Sequence, residues 1–272
     1  MLLAAVLAGG LALSAAAPGP ARAAASPAGH PTTLVVFAAA SLADAFQDLG
    51  RIFEARFPGI QVRFNFAGSQ QLAAGLDNGA RAGVFASADQ RWMAHAVAAG
   101  LVEGQPGRFA RNRLVVIVPR SNPARLGRLQ DLARRGVKLV MAAAPVPAGT
   151  YGRQMLTRLG RAAGFPPDFQ RRALANLASE EENVKQVVAK VELGEADAGV
   201  VYRSDVNAAV ARRVAILEIP DSCNVLATYP IAVLKGGPEP GAAREFVRLV
   251  LSPEGQAILK SRGFLPAGDP GE

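Results

Sequence analysis

Short, unbroken apolar runs alternate along this chain with longer segments whose apolar positions recur every three or four residues. The first run, Thr33-Leu34-Val35-Val36-Phe37-Ala38-Ala39, is rich in β-branched residues, as a strand covered on both faces should be. Ser41 then precedes a helix whose apolar positions are Leu42, Phe46, Leu49, Phe53 and Phe57, with Asp44 three residues after Ser41 in a variant of the capping box; Pro58-Gly59 ends it. The pattern repeats. Ile60 to Phe66 alternates like a strand and Ser69 to Gly79 reads as a helix. Val84-Phe85-Ala86 is a short strand, and Asp89 opens a helix through Trp92, Met93, Val97 and Leu101. Buried strands are predicted at 114–119 and 137–141, and a helix from about Tyr151 to Leu159. An amphipathic helix carries Val184, Val187, Val188 and Val191; strands follow at 198–202 and 229–234, and helices at 241–251 and 253–260. Strand–helix alternation predicts open α/β sheets with helices on both faces. About eight strands in more than two hundred residues are generous for one sheet, so two α/β lobes are expected.

Composition narrows this picture. Half of the 272 residues are hydrophobic and few are aromatic, so Ala, Val, Leu and Gly do most of the packing. The first two dozen residues differ from the rest. An apolar run from Met1 to Leu13 is followed by Pro18-Gly19-Pro20 and the small-x-small pattern Ala21-Arg22-Ala23, which predicts an export signal over 1–23 and a soluble mature protein outside the cytoplasm. Cys223 is alone, so it can form no internal disulfide; a buried position is expected for it. The formal net charge is +8, but the arginines are scattered among acids, with no arm, zinc spacing or aromatic–basic interleave of the kind that binds nucleic acid. Such a charge favours the approach of anions.

Enzyme motifs are missing. The chain has no G-x-x-x-x-G-K-[ST], no G-x-G-x-x-G after a strand and no G-x-S-x-G, and two His with one Cys cannot build a His- or Cys-rich metal site. One local device recurs instead: a strand ends, a small or hydroxyl residue follows, and a helix begins. It occurs at Ala40-Ser41, at Gly68-Ser69, at Pro147-Ala148-Gly149 and before Val184. A helix start presents unpaired backbone N–H groups and about half a positive charge, and in open α/β sheets such ends gather where ligands bind. A serine before a helix is most often only an N-cap, so it is the number of these ends that points to an oxyanion.

Several segments carry a resemblance. Phe37-Ala38-Ala39-Ala40-Ser41-Leu42, Phe66-Ala67-Gly68-Ser69, Ser87-Ala88-Asp89-Gln90-Arg91-Trp92-Met93, Val146-Pro147-Ala148-Gly149-Thr150-Tyr151 and Gly199-Val200-Val201-Tyr202 resemble the periplasmic molybdate-binding proteins of ABC importers. Tyr229-Pro230-Ile231-Ala232-Val233 and Ser261-Arg262-Gly263-Phe264 fit as well, so the likeness runs in order from about residue 33 to 265. It implies a type II periplasmic-binding fold, with two α/β lobes, two crossover strands and a cleft that shuts on the anion. Lobe I is expected at 32–113 with 226–268, and lobe II at 114–225. The resemblance carries molybdate contacts onto Ser41 and Ser69 through hydroxyl and N–H, Ala148 and Val184 through N–H, and Tyr202 through its phenol. Molybdenum is thus held as molybdate, with no cofactor. Gly68-Ser69-Gln70 departs from the serine run of many relatives, and Glu180-Glu181-Glu182 is acidic for an anion site, so those side chains are expected to face solvent.

The resemblance also implies delivery to a membrane permease, as a monomer, in the periplasm. Burying even one unit charge costs several kcal/mol, and charge-assisted hydrogen bonds return about 1.5–3 kcal/mol each, so about six or seven are needed. A pocket of donors alone also rejects anions that still carry a proton. Tungstate, sulfate or a small carboxylate on the same fold is the alternative ligand, and an enzyme on this scaffold, with Cys223 its only unusual group, the alternative class.

Overall fold

A computed structural model describes residues 32–268. The export signal read over 1–23 lies outside the described residues. Two five-stranded sheets form the framework. The first is built from β1 (Thr32–Ala39), β2 (Ile60–Ala67), β3 (Val84–Ala86), β4 (Val102–Asn112) and β10 (Ala227–Leu234), in the order β2-β1-β3-β10-β4. The second is built from β5 (Leu114–Pro119), β6 (Leu139–Ala142), β7 (Leu177–Glu181), β8 (Ala198–Tyr202) and β9 (Val214–Leu217), in the order β7-β6-β8-β5-β9. The chain crosses from the first sheet to the second at Arg113, and returns through 218–226. Two α/β lobes joined by two crossings result.

Each sheet mixes parallel and antiparallel pairs. β1 runs parallel to β2 and β3, and the returning β10 is antiparallel to β3 and β4. In the second sheet β6 is parallel to β7 and β8, and β5 is antiparallel to β8 and β9. Helices cover both faces of the first sheet. α1 (Ala43–Arg56), α7 (Pro240–Leu251) and α8 (Pro253–Ser261) pack together on one side, and α2 (Ser69–Asp77) with α3 (Gln90–Ala98) on the other. In the second lobe α4 (Pro147–Leu159) and α6 (Val184–Glu192) sandwich β8: an added Cβ on Gly199 would strike Val187 and Val191 of α6, while Val200 next to it meets Gly152 of α4. Strands with such cover need apolar residues at every position, which is why β1 and β5 read as unbroken apolar runs.

The elements missing from the sequence reading lie mainly at sheet edges. Ten strands form where about eight were expected; β4, β7 and β9 were not read as strands, and neither was the helix α5 (Phe169–Ala175). All three strands are edge strands, where only one side must pair and polar residues, Gly and Pro are tolerated. β4 carries Gly104, Pro106 and Gly107, and its register with β10 shifts twice. α4 begins at Pro147 and not near Tyr151, because Pro at the first helical position lacks only an N–H that would have no helical partner anyway. Cys223 is buried, in a turn of the returning crossing.

Candidate functional site

The carboxyl ends of the parallel strands in the two sheets face one another, and a cavity lies between them. Its wall is formed by Ala39, Ala40 and Ser41 at the end of β1, Ala67, Gly68 and Ser69 at the end of β2, and Ala88 after β3. From the other lobe come Val146, Pro147 and Ala148 after β6, Asn183 and Val184 after β7, and Tyr202 at the end of β8. All five residues picked out by sequence, Ser41, Ser69, Ala148, Val184 and Tyr202, come together here. Among the described residues no Asp, Glu, Lys, Arg or His side chain lines the cavity.

Three helices begin at this wall. Ser69 is the first residue of α2, Ala148 the second of α4 and Val184 the first of α6, so their amides belong to helical turns that cannot use them. The Asn183 carboxamide caps α6 by accepting from Gln186 N–H at 3.2 Å, which leaves the Val184 amide to the cavity. α4 reaches the wall because Gly149 lets it press on the end of β6. A Cβ there would stand 2.0 Å from the Ala143 oxygen and 2.3 Å from that of Ala142.

Ser41 differs from the sequence expectation. It does not cap α1: it lies inside a short 3-10 turn, Ala40–Leu42, and α1 begins at Ala43 without a side-chain cap. Its hydroxyl is 2.9 Å from the Tyr229 hydroxyl instead. Ser69 Oγ accepts from Ala88 N–H at 3.0 Å. Tyr202 is 1% exposed, and its hydroxyl is buried with no hydrogen-bond partner among the described residues. Burial pushes its phenol well above the usual value, with neighbouring Tyr229 adding to the effect, so the oxygen keeps its proton and stays a donor.

The acidic triplet also departs from expectation. Glu180 and Glu181 lie on β7, before α6, and Glu181 is buried where solvent exposure was expected. Lys190 pairs with Glu181 at 2.7 Å and Ser179 donates to it at 2.7 Å. Burial pushes its carboxyl up, but these two groups more than offset that and hold it below the usual range. Glu180 pairs with Arg153. Neither carboxylate lines the cavity.

Around the cavity the lobes touch through contacts that sequence could not indicate. The Pro145 carbonyl accepts from Arg91 Nη2 at 2.6 Å and from Trp92 Nε1 at 3.0 Å. The Glu182 carbonyl accepts from Gln70 Nε2 at 2.9 Å, and its carboxylate from Gln71 Nε2 at 3.1 Å. On another side Asp44 of α1 accepts from Asn207 Nδ2 at 2.9 Å and lies 3.3 Å from Lys185 Nζ, which is 3.4 Å from the buried Asp205. Burial pushes Asp44 up, but Asn207 and then Lys185 more than offset it and hold the carboxyl below its usual range. Burial alone would lower Lys185, yet Asp205 and Asp44 keep it above the ordinary lysine value, and so charged.

Known proteins resemble this chain over nearly its whole length. Residues 34–265 match the family described as bacterial extracellular solute-binding protein. Over 263 residues the chain is 40% identical to the molybdate-binding protein ModA of Mycobacterium tuberculosis, an alignment covering 97% of this chain and 95% of that protein. Among solved structures it is similar to the periplasmic molybdate-binding protein of Azotobacter vinelandii, with a TM-score of 0.74 and 23% identity, covering 85% of this chain and 98% of that one. The sulfate-binding protein SubI of Mycobacterium tuberculosis gives a TM-score of 0.76 at 19% identity, covering 88% of each chain. The last two are likenesses of fold.

Proposed function

Because the chain belongs to the family of bacterial extracellular solute-binding proteins, we propose that it captures molybdate between its lobes and delivers it to the membrane permease of an ABC importer. In this reading Ser41 and Ser69 donate through hydroxyl and main-chain N–H, Tyr202 through its phenol, and Ala148 and Val184 through main-chain amides, to the oxygens of one tetrahedral dianion. Molybdenum is carried as molybdate; the protein contributes no cofactor and performs no reaction on it. The observation that supports the reading most is the Tyr202 hydroxyl: a buried donor at a wall without charged side chains, lacking any protein partner, is costly unless a ligand oxygen accepts from it. We take lobe I as 32–113 with 226–268 and lobe II as 114–225, and the protein as a periplasmic monomer exported by the signal read over 1–23.

Neutral donors suit the chemistry. A fully deprotonated tetrahedral oxyanion has only acceptors, and helix starts and hydroxyls meet it with only donors. Tungstate has the same charge and shape and is expected to bind as molybdate does. A carboxylate ligand calls for a paired arginine, and none lines the cavity. Calorimetric titration of the exported form with molybdate, tungstate, sulfate and phosphate is the direct test. Tight binding of the first two and much weaker binding of the others is expected; no heat with any of the four, or tight phosphate binding, sinks the proposal.

The Asp44–Lys185–Asn207 contacts then act as a latch on the closed form. Asp44→Ala is expected to weaken molybdate binding roughly fivefold, or about 1 kcal/mol, the upper end for a partly exposed ion pair. The pH dependence has a definite sign. A carboxyl depressed by closure contributes above its ordinary range and loses that contribution as pH falls through the lowered value. Affinity of the unmodified chain should therefore fall more steeply in acid than that of Asp44→Ala. Parallel pH profiles for the two proteins count against the latch.

A further inference from the structure

Two serine hydroxyls line the cavity, and each has a protein partner. For Ser69 the partner is a backbone N–H, that of Ala88, so the serine oxygen accepts and its hydrogen is left for the cavity. For Ser41 the partner is the hydroxyl of Tyr229 at 2.9 Å, and two hydroxyls taken alone allow either direction. The direction is decided one residue further back, at Asn112 on the end of β4. Its carboxamide oxygen accepts from Arg113 N–H at 3.0 Å, which turns the amide nitrogen the other way. That nitrogen donates to Ser204 Oγ at 2.8 Å and reaches the Tyr229 oxygen at 3.5 Å. An amide nitrogen cannot accept a hydrogen bond. Among the described contacts of the Tyr229 hydroxyl, Ser41 Oγ is therefore the acceptor for its hydrogen. Complete burial of Tyr229 pushes its phenol far up, so that hydrogen is always present.

We infer that Tyr229 is a positioning residue for anion capture: by donating to Ser41 it leaves the Ser41 hydrogen for the cavity and makes this serine a donor there. The inference rests on the oxyanion reading of the cavity and adds the device that sets its selectivity. A serine free to rotate can give its hydrogen to Tyr229 and a lone pair to a protonated ligand oxygen; with Tyr229 donating, the Ser41 hydrogen has no acceptor among the described residues, so turning the remaining lone pair to the ligand leaves that hydrogen unpaired. Molybdate loses nothing by this, whereas inorganic phosphate, which carries a proton near neutral pH, meets a donor facing its own O–H.

A double-mutant cycle with Tyr229→Phe and Ser41→Ala, titrated with molybdate and with inorganic phosphate, tests this. Phe keeps the ring between Phe109, Tyr202 and Phe264, whose centroids lie 6.2, 5.9 and 5.5 Å away, so a folded protein with a near-normal melting temperature is expected. Tyr229→Phe should weaken molybdate binding roughly 3- to 10-fold in the unmodified background, the range of one neutral hydrogen bond. It should also narrow the ratio of phosphate to molybdate dissociation constants. In the Ser41→Ala background it should cost nothing further, because Tyr229 acts through that serine. Equal losses in the two backgrounds, or no loss in the first, overturn the inference while leaving the cavity reading in place. Absence of oxyanion binding by the unmodified chain overturns both.

Discussion

Tyr202→Phe is expected to raise the molybdate dissociation constant roughly 10- to 150-fold while leaving the melting temperature of the ligand-free chain unchanged or slightly higher. Both halves follow from one atom. The Tyr202 hydroxyl is buried at the cavity wall and has no partner among the described residues. Removing an unsatisfied buried polar atom relieves a desolvation penalty, and Phe retains the ring that meets Tyr229 edge-on at 5.9 Å. In the liganded chain the same change deletes a hydrogen bond to a charged acceptor, about 1.5–3 kcal/mol, which converts to the stated range. Because burial holds the phenol above its ordinary value, the loss should be the same from neutral to mildly alkaline pH. Calorimetry and thermal melting of the two proteins decide the matter. A lower melting temperature with intact affinity identifies Tyr202 as a packing residue at the seam between lobes and nothing more.

Gly68→Ala is expected to block closure without harming either lobe. Gly68 has φ −62° and ψ 141°, a conformation that alanine adopts freely. Its added Cβ, however, would stand 2.5 Å from the carbonyl oxygen of Glu182 in the opposite lobe, and against the Gln70 side chain, itself bonded to that carbonyl. The flexible Gln70 can move; the Glu182 backbone, just ahead of the α6 start that bears Val184, cannot move without displacing that cavity-lining residue. Forcing a methyl into such a contact costs about 1–3 kcal/mol, or roughly 5- to 150-fold in affinity. The conflict exists only when the lobes meet, so the open chain should melt as before. Small-angle scattering separates this effect from loss of a donor: the unmodified chain and Tyr202→Phe should contract when saturated with molybdate, and Gly68→Ala should contract less. Equal contraction by all three rules out the steric account.

The two substitutions act on different terms of one equilibrium. Tyr202 contributes to the ligand's preference for the closed form, and Gly68 to the cost of reaching it. A ligand shifts an opening equilibrium only by its differential affinity for the two states. In the proposed reading the donors are divided between lobes, with Ser41 and Ser69 on one and Ala148, Val184 and Tyr202 on the other, and provide that difference, because an open cleft cannot engage all five at once.

Much of this architecture is visible in the order of residues. Unbroken apolar runs locate β1, β5 and β8, since strands covered on both faces tolerate no polar position. The small residues between strand and helix locate the starts of α2 and α6, because a helix start has a local signature. Edge strand β2 is legible from its alternation, but β4, with two glycines and a proline, and the acidic β7 look like loops until a neighbour pairs with them. An acidic triplet does not suit an anion site, which is why solvent exposure is expected of Glu181, yet the strand that carries it turns it inward, toward Lys190.

What sequence alone determined was therefore the local part: the buried strands and most of the helices, the starts of α2 and α6, and, through resemblance, five residues that line the cavity. Tertiary structure alone decided the direction of each donor and the means of closure. Ser41 meets Tyr229 across 188 positions, Asp44 meets Lys185 across 141, and Gly68 meets Glu182 from the other lobe. The reason is physical. Helix and strand formation depend on neighbours within a few residues, whereas hydrogen-bond direction and steric fit between lobes depend on groups brought together only after both sheets have formed.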